Sequence, residues 1–312
     1  MASQAVRISR WAITCALLCA LGCSTAALAA QGGASCGPTL TSRIPARAST
    51  APDGREFMQE VSRMSDDERE SAILEQILAG NIPGFLRQLR PVVLSARQST
   101  GELTSAIVCV FPDYLAIGSD ENFLLVPMRL RTALTIATRF GFTLPTRKMV
   151  DAIFTQAPVH LQPQPLAASA AMRSTGYYWH HNQLVGEQRR AMSEPLGVLT
   201  AGDKKDLVLT NRLWSNLTRV AIYGWQQPDG LAIQPLSTVH GMRYADYSHG
   251  IRLVSTIAYV NGEARRLLNL LQNPQSAALV SDEGTIRHAD DLVSILMAQD
   301  TRSPQAMTGI AH

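Results

Sequence analysis

Residues 237–254, STVHGMRYADYSHGIRLV, bring two of the chain's seven histidines together with Tyr244, Asp246, Tyr247 and Ser248. An imidazole beside a carboxylate is the pair a general base requires, because the carboxylate fixes the ring's tautomer. A nearby hydroxyl then serves as nucleophile or relay. On this chemistry His249 is the acid/base, with Asp246 or Asp113 orienting it. His240, Ser248, Tyr244 and Lys205 are the assisting groups. The same residue types also have a structural use, since turn Asp, Ser and His side chains satisfy backbone groups.

Other clusters carry weaker signals. His240, Asp246 and His249 supply donors suited to zinc, but no His-Glu-x-x-His or paired-cysteine spacing accompanies them, so neither metal nor cofactor is expected. Gly202-Asp203-Lys204-Lys205-Asp206 sets lysines among carboxylates, able to polarise a carbonyl or to form a solvated turn. If this segment's strand neighbours the Ile251 strand, the lysines face His249. Tyr177-Tyr178-Trp179 offers a sugar-stacking platform, although three consecutive helical residues cover more than one face, which favours core packing.

The elements that position these residues follow from local pattern. Ser65-Asp66-Asp67-Glu68 is a capping box opening a helix that Gly80-Asn81 stops, and a short helix follows from Gly84 to Leu89. Residues 105–111 and 114–118 read as strands. Helices are expected over 132–140, over 147–154 with Thr146 as cap, and over 174–192, the last after an extended crossing at 158–170. Strands follow at 206–210, 219–225, 232–234 and 251–260, so His240, Asp246, Ser248 and His249 fall in the turn that feeds the last. Asn261-Gly262 is a hairpin or strand-to-helix turn, and helices over 263–271 and 290–297 close the chain. The expectation is an α+β fold, its mainly antiparallel sheet in the C-terminal half with helices packed on it.

Arg7 and Arg10, the apolar run Trp11 to Leu21 and Ala27-Leu28-Ala29 form the layout of a cleavable export signal over 1–29; Cys23 leaves a lipoprotein as the rival. A linker at 30–56, one domain at 57–300 and a disordered tail at 301–312 complete the expected organisation. Losing Arg7 and Arg10 takes the 28 basic side chains to 26 against 25 acidic ones, which offers no basic stripe for nucleic acid. No transmembrane segment is expected in the mature chain. Only Cys36 and Cys109 remain after cleavage, and an oxidising compartment favours their pairing.

Ser248-His249-Gly250-Ile251-Arg252-Leu253, with His240-Gly241 upstream, is similar to the signature of L,D-transpeptidases. Ile251 stands where that family carries its nucleophilic cysteine, and the His240 to Ser248 gap is shorter, so thiolate chemistry does not carry over. Residues 112–120, 144–151, 204–206, 219–225 and 244–250 resemble a family of exported bacterial proteins with no assigned activity, which implies export and no chemistry. The functional expectation is an exported hydrolase of a cell-envelope or extracellular polymer using the His/Asp pair, the partner being a polymeric or small-molecule substrate. The alternative is a non-catalytic ligand-binding module.

Overall fold

The computed structural model describes residues 36–97 and 101–299, which belong to one compact unit. The expected signal at 1–29 and tail at 301–312 lie outside the described residues. Helices begin where the capping logic puts them. Ser65 and Glu68 exchange hydrogen bonds at the start of Asp66–Leu78, and Thr146 Oγ1 accepts from the Met149 amide at the start of Arg147–Gln156. Leu130–Phe140 ends on Gly141, whose φ of 85° is a left-handed value that suits glycine. This helix buries Leu130, Ala133, Leu134, Ile136, Ala137 and Phe140, an apolar stripe that drives it onto the core.

The fold is α+β with mainly antiparallel sheets. One sheet has the order Arg90–Arg97, Leu103–Val110, Val254–Val260, Glu263–Arg266, with Phe142–Thr143 also pairing to Val254–Val260. Its first two strands come from the N-terminal half, where the second matches the strand expected at 105–111. Residues 263–266, expected to be helical, form the second arm of a hairpin across Asn261-Gly262, because Asn261 takes φ 50° and Gly262 φ 83° there. The helix starts only at Leu267.

A second sheet has the order Ala232–Ser237, Ile222–Gln226, Lys205–Leu207, His249–Gly250. His249–Gly250 is its own short strand, parallel to Lys205–Leu207, with His249 opposite Lys205 and Gly250 opposite Asp206. The expected neighbourhood of the two segments is therefore real, while the long strand begins at Val254 rather than Ile251.

Residues 36–56, read from composition as part of a flexible linker, are held to the body. Ile44 is 5% exposed, and Arg47 donates to Asn81 Oδ1 and the Ala51 carbonyl. Cys36 and Cys109 form a disulfide with Cα atoms 5.5 Å apart. Low hydrophobicity marked this segment as loose, but a covalent tie and a few buried contacts suffice to fix a short segment.

Candidate active site

Side chains alternate between the two faces of a strand, and this splits the site into two layers. On one face Lys205 and His249 project together. On the other lie Lys204, Asp206, Gly250 and Arg252, all meeting Tyr114. Gly250 is required by that contact, since a Cβ there would come within 2.5 Å of Tyr114 Cδ1 and 2.6 Å of Lys204 Cβ.

The loop that carries the first layer is tied down along its length. The Val220 amide donates to the His240 carbonyl, Met242 to Thr218, Tyr247 to Met172, and Lys205 to Ser248 at 2.7 Å. Asp246 closes the turn into His249. Its Oδ1 accepts from the Ser248 amide at 2.8 Å and the Ser248 hydroxyl at 2.6 Å, and its Oδ2 accepts from the Tyr244 hydroxyl at 2.9 Å.

His249 is 1% exposed, and neither ring nitrogen has a hydrogen-bond partner among the described residues. Its ring lies 6.2 Å from that of His240 and 5.7 Å, edge-on, from that of Tyr244. His240 and Tyr244 stack face to face at 4.1 Å, and both are only partly buried. Burial pulls His249 down to about 4; Asp246 opposes that, and Lys205, His240 and Lys204 add to it. His240 is also lowered, mainly by burial. Burial pushes Asp246 up, yet the attraction of the His249 imidazolium that forms in acid, together with the two Ser248 hydrogen bonds and Lys205, outweighs it and holds the carboxyl below its usual range. At neutral pH the layer thus holds two uncharged imidazoles, one carboxylate and a phenol.

Lys205 completes it. Its ammonium sits 4.7 Å from the centre of the Trp225 ring, and its pKa is lowered by burial against the pull of Asp246. Trp225 adopts φ 59°, unusual for a bulky residue. Its amide donates to the Lys204 carbonyl and its indole N–H to the Asp203 carbonyl, and these bonds hold the conformation.

Of the expected site residues, the structure brings together His249, His240, Tyr244, Asp246 and Lys205. Ser248 is adjacent, but its hydroxyl is committed to Asp246, which makes it a brace rather than a nucleophile aimed by His249. Asp246 likewise acts on His249 through charge, since its oxygens are taken by Ser248 and Tyr244. Asp113 does not orient His249. It belongs to the second layer, paired with Arg189 and accepting from the Tyr114 amide. His160 stacks on Phe154, and His288 faces Asp291 at the surface.

The second layer is a buried ionic cluster that residue spacing did not single out. Asp113, Asp203 and Asp206 lie among Arg189, Lys204 and Arg252. Lys204 is 1% exposed, and its ammonium donates to the Tyr247 carbonyl at 2.6 Å and meets His181 Nδ1 at 3.1 Å. Burial lowers Lys204 to about 8, with Asp203, Asp246 and Asp113 opposing, and lowers His181 to about 2 with help from the Lys204 charge. Among the described residues the Asp203 carboxylate accepts no hydrogen bond, and burial and the Asp113 charge raise it to about 6. Asp206 accepts from the Tyr114 hydroxyl at 2.9 Å and is raised by burial to about 7. Arg252 lies 4.2 Å over the Tyr114 ring and donates to the Phe111 and Thr200 carbonyls. The alternation of Lys204-Lys205-Asp206 was the available signal for this layer, legible only once the strand's neighbour was known.

Among the described residues, no group of three or more His, Cys, Asp or Glu side chains is arranged to hold a metal ion. No helix there is long and apolar enough to cross a membrane. Comparison with protein-family models, with curated proteins and with solved structures finds no match.

Proposed function

We propose that the protein is an exported hydrolase of a cell-envelope or extracellular polymer, with His249 as its general base. The observation that carries this reading is the buried imidazole itself. Neither of its nitrogens has a hydrogen-bond partner among the described residues, and it is held neutral beside His240, Tyr244 and Lys205. A buried polar group without a partner costs stability, and such costs concentrate at sites kept ready for a ligand.

In the proposed reaction His249 takes a proton from the attacking water, whose oxygen bonds to the electrophilic carbon. The Lys205 ammonium faces the developing negative charge. Collapse breaks the bond to the leaving group, which takes the proton back from His249. Asp246 favours the imidazolium formed in between by its charge, and Ser248 and Tyr244 hold that carboxylate in place. The substrate approaches over the partly buried His240–Tyr244 stack. The Cys36–Cys109 disulfide fits an oxidising, extracytoplasmic compartment.

A second reading, a binding module without turnover, is favoured by one feature: a cavity of about 620 Å³ lies along the Thr175–Met192 helix, and no residue of the His249 cluster lines it. The deciding experiment screens purified protein against peptidoglycan, neutral polysaccharide and ester substrates. Product formed by wild type and lost in His249→Gln at an unchanged melting temperature supports the hydrolase. No turnover on any of the three supports the binding module.

A further inference from the structure

The Thr175–Met192 helix carries glycines at 176 and 186, where alanine would make a more stable helix. Neither has positive φ, and packing requires neither. A Cβ on Gly176 would come no closer than 3.8 Å to Ser174 Oγ, and one on Gly186 no closer than 3.9 Å to Arg190 Nη1. What the two share is a position on a cavity wall. Gly186 lines the cavity of about 620 Å³ and Gly176 a neighbouring one of about 490 Å³, while Trp179 and Arg55 line both.

Trp179, Gln183, Gly186 and Arg190 follow at i, i+4, i+7 and i+11, and so share one helix face. It is the face opposite His181, which is buried against Lys204. The Trp179 ring is partly exposed, packed against the core and with the Arg55 guanidinium over it 5.7 Å from its centre, whereas Tyr178 is buried and Tyr177 packs edge-on against Tyr247. Within the aromatic triplet only Trp179 is therefore placed as a platform. Its indole N–H and the side chains of Gln183 and Glu187 make no hydrogen bond among the described residues.

The chemistry of the walls selects the occupant. In the larger cavity Arg55 and Arg190 stand among Asp120, Glu121, Glu187 and Glu194, while Arg189 is taken by Asp113, so a polyanion is not favoured. A peptide adding to the Phe123–Leu125 strand is blocked, because Asn182 already accepts from the Leu125 amide and donates to the Phe123 carbonyl. A flat ring with unused amide and carboxylate groups beside it suits a ligand with an apolar face and many hydroxyls. We propose that this helix face is a groove for a neutral oligosaccharide chain, with a sugar ring stacked on Trp179, Gln183 and Glu187 bonding hydroxyls, and Gly176 and Gly186 keeping the walls clear. The groove does not depend on the His249 reading, since a protein without turnover would bind in the same way.

The test is calorimetric titration of the purified protein with chitohexaose, cellohexaose and an oligogalacturonate. Saturable binding of at least one neutral hexasaccharide is expected, weakened about tenfold or more in Trp179→Ala. Binding of only one of the two tells whether acetamido groups are needed. Gly186→Ala guards against a folding artefact: it should weaken binding about fivefold or more while its melting temperature equals or exceeds that of wild type. Absence of binding to both neutral sugars, tighter binding of the oligogalacturonate, or full binding by Gly186→Ala would overturn the proposal.

Discussion

A neutral imidazole with two free nitrogens makes specific demands on pH. His249 in the folded protein lies near 4 against an ordinary 6.5, so a reaction needing its unprotonated form keeps full rate down to about pH 5 and loses it only near 4. A rate profile falling instead with a midpoint near 6.5 would assign the base to an exposed histidine. His249→Gln is expected to lower turnover by about 10²-fold or more. Lys205→Met keeps the stem on Trp225 but removes the charge, and is expected to lower kcat with little change in thermal midpoint. The residue types at 240–249 were legible as a site because titratable groups crowd ten positions. The partners were not, because hydrogen-bond assignment depends on backbone turns: Asp246 turned to Ser248 and Tyr244, and Asp113 to Arg189.

At the scale of elements, the site rests on two short parallel strands meeting at Gly250. Gly250→Ala would drive a methyl into Tyr114 and Lys204, both buried, and the expected loss is about 2–4 kcal/mol by denaturant unfolding. A loss under 0.5 kcal/mol would mean that the two strands are not held as tightly as described. Caps and glycine stops made the 66–78, 130–140 and 147–156 helices readable from residue type alone. The 249–250 strand was hidden because two residues carry no periodicity, and 263–266 looked helical because Glu, Ala and Arg are good helix formers whose hairpin geometry is imposed by Asn261-Gly262. The Arg90–Arg97 strand escaped notice for a related reason: it is a sheet edge whose burial alternates, with Pro91 and charged ends obscuring the pattern.

For the whole molecule, the disulfide and the buried ionic cluster set how stability responds to conditions. The Cys36–Cys109 bond closes a loop of 73 residues, and its removal in Cys36→Ser/Cys109→Ser is expected to cost about 4 kcal/mol by chain entropy, read as a lower denaturant midpoint. Asp206 holds its proton in the folded state up to about 7 but only to 3.8 when unfolded, so its contribution to stability is present at low pH and lost as pH rises between them. Relative to wild type, Asp206→Asn should therefore gain about 2–3 kcal/mol between pH 5 and pH 8, and a gap that stays flat would mean that Asp206 is ionised in the fold. Above all, this fold keeps the His249 imidazole buried and neutral, with no hydrogen-bond partner among the described residues. NMR titration of the ring nitrogens of His249, assigned by comparison with His249→Gln, measures that directly. A neutral ring down to about pH 4 is the predicted result; protonation with a midpoint near 6.5 or above would contradict it.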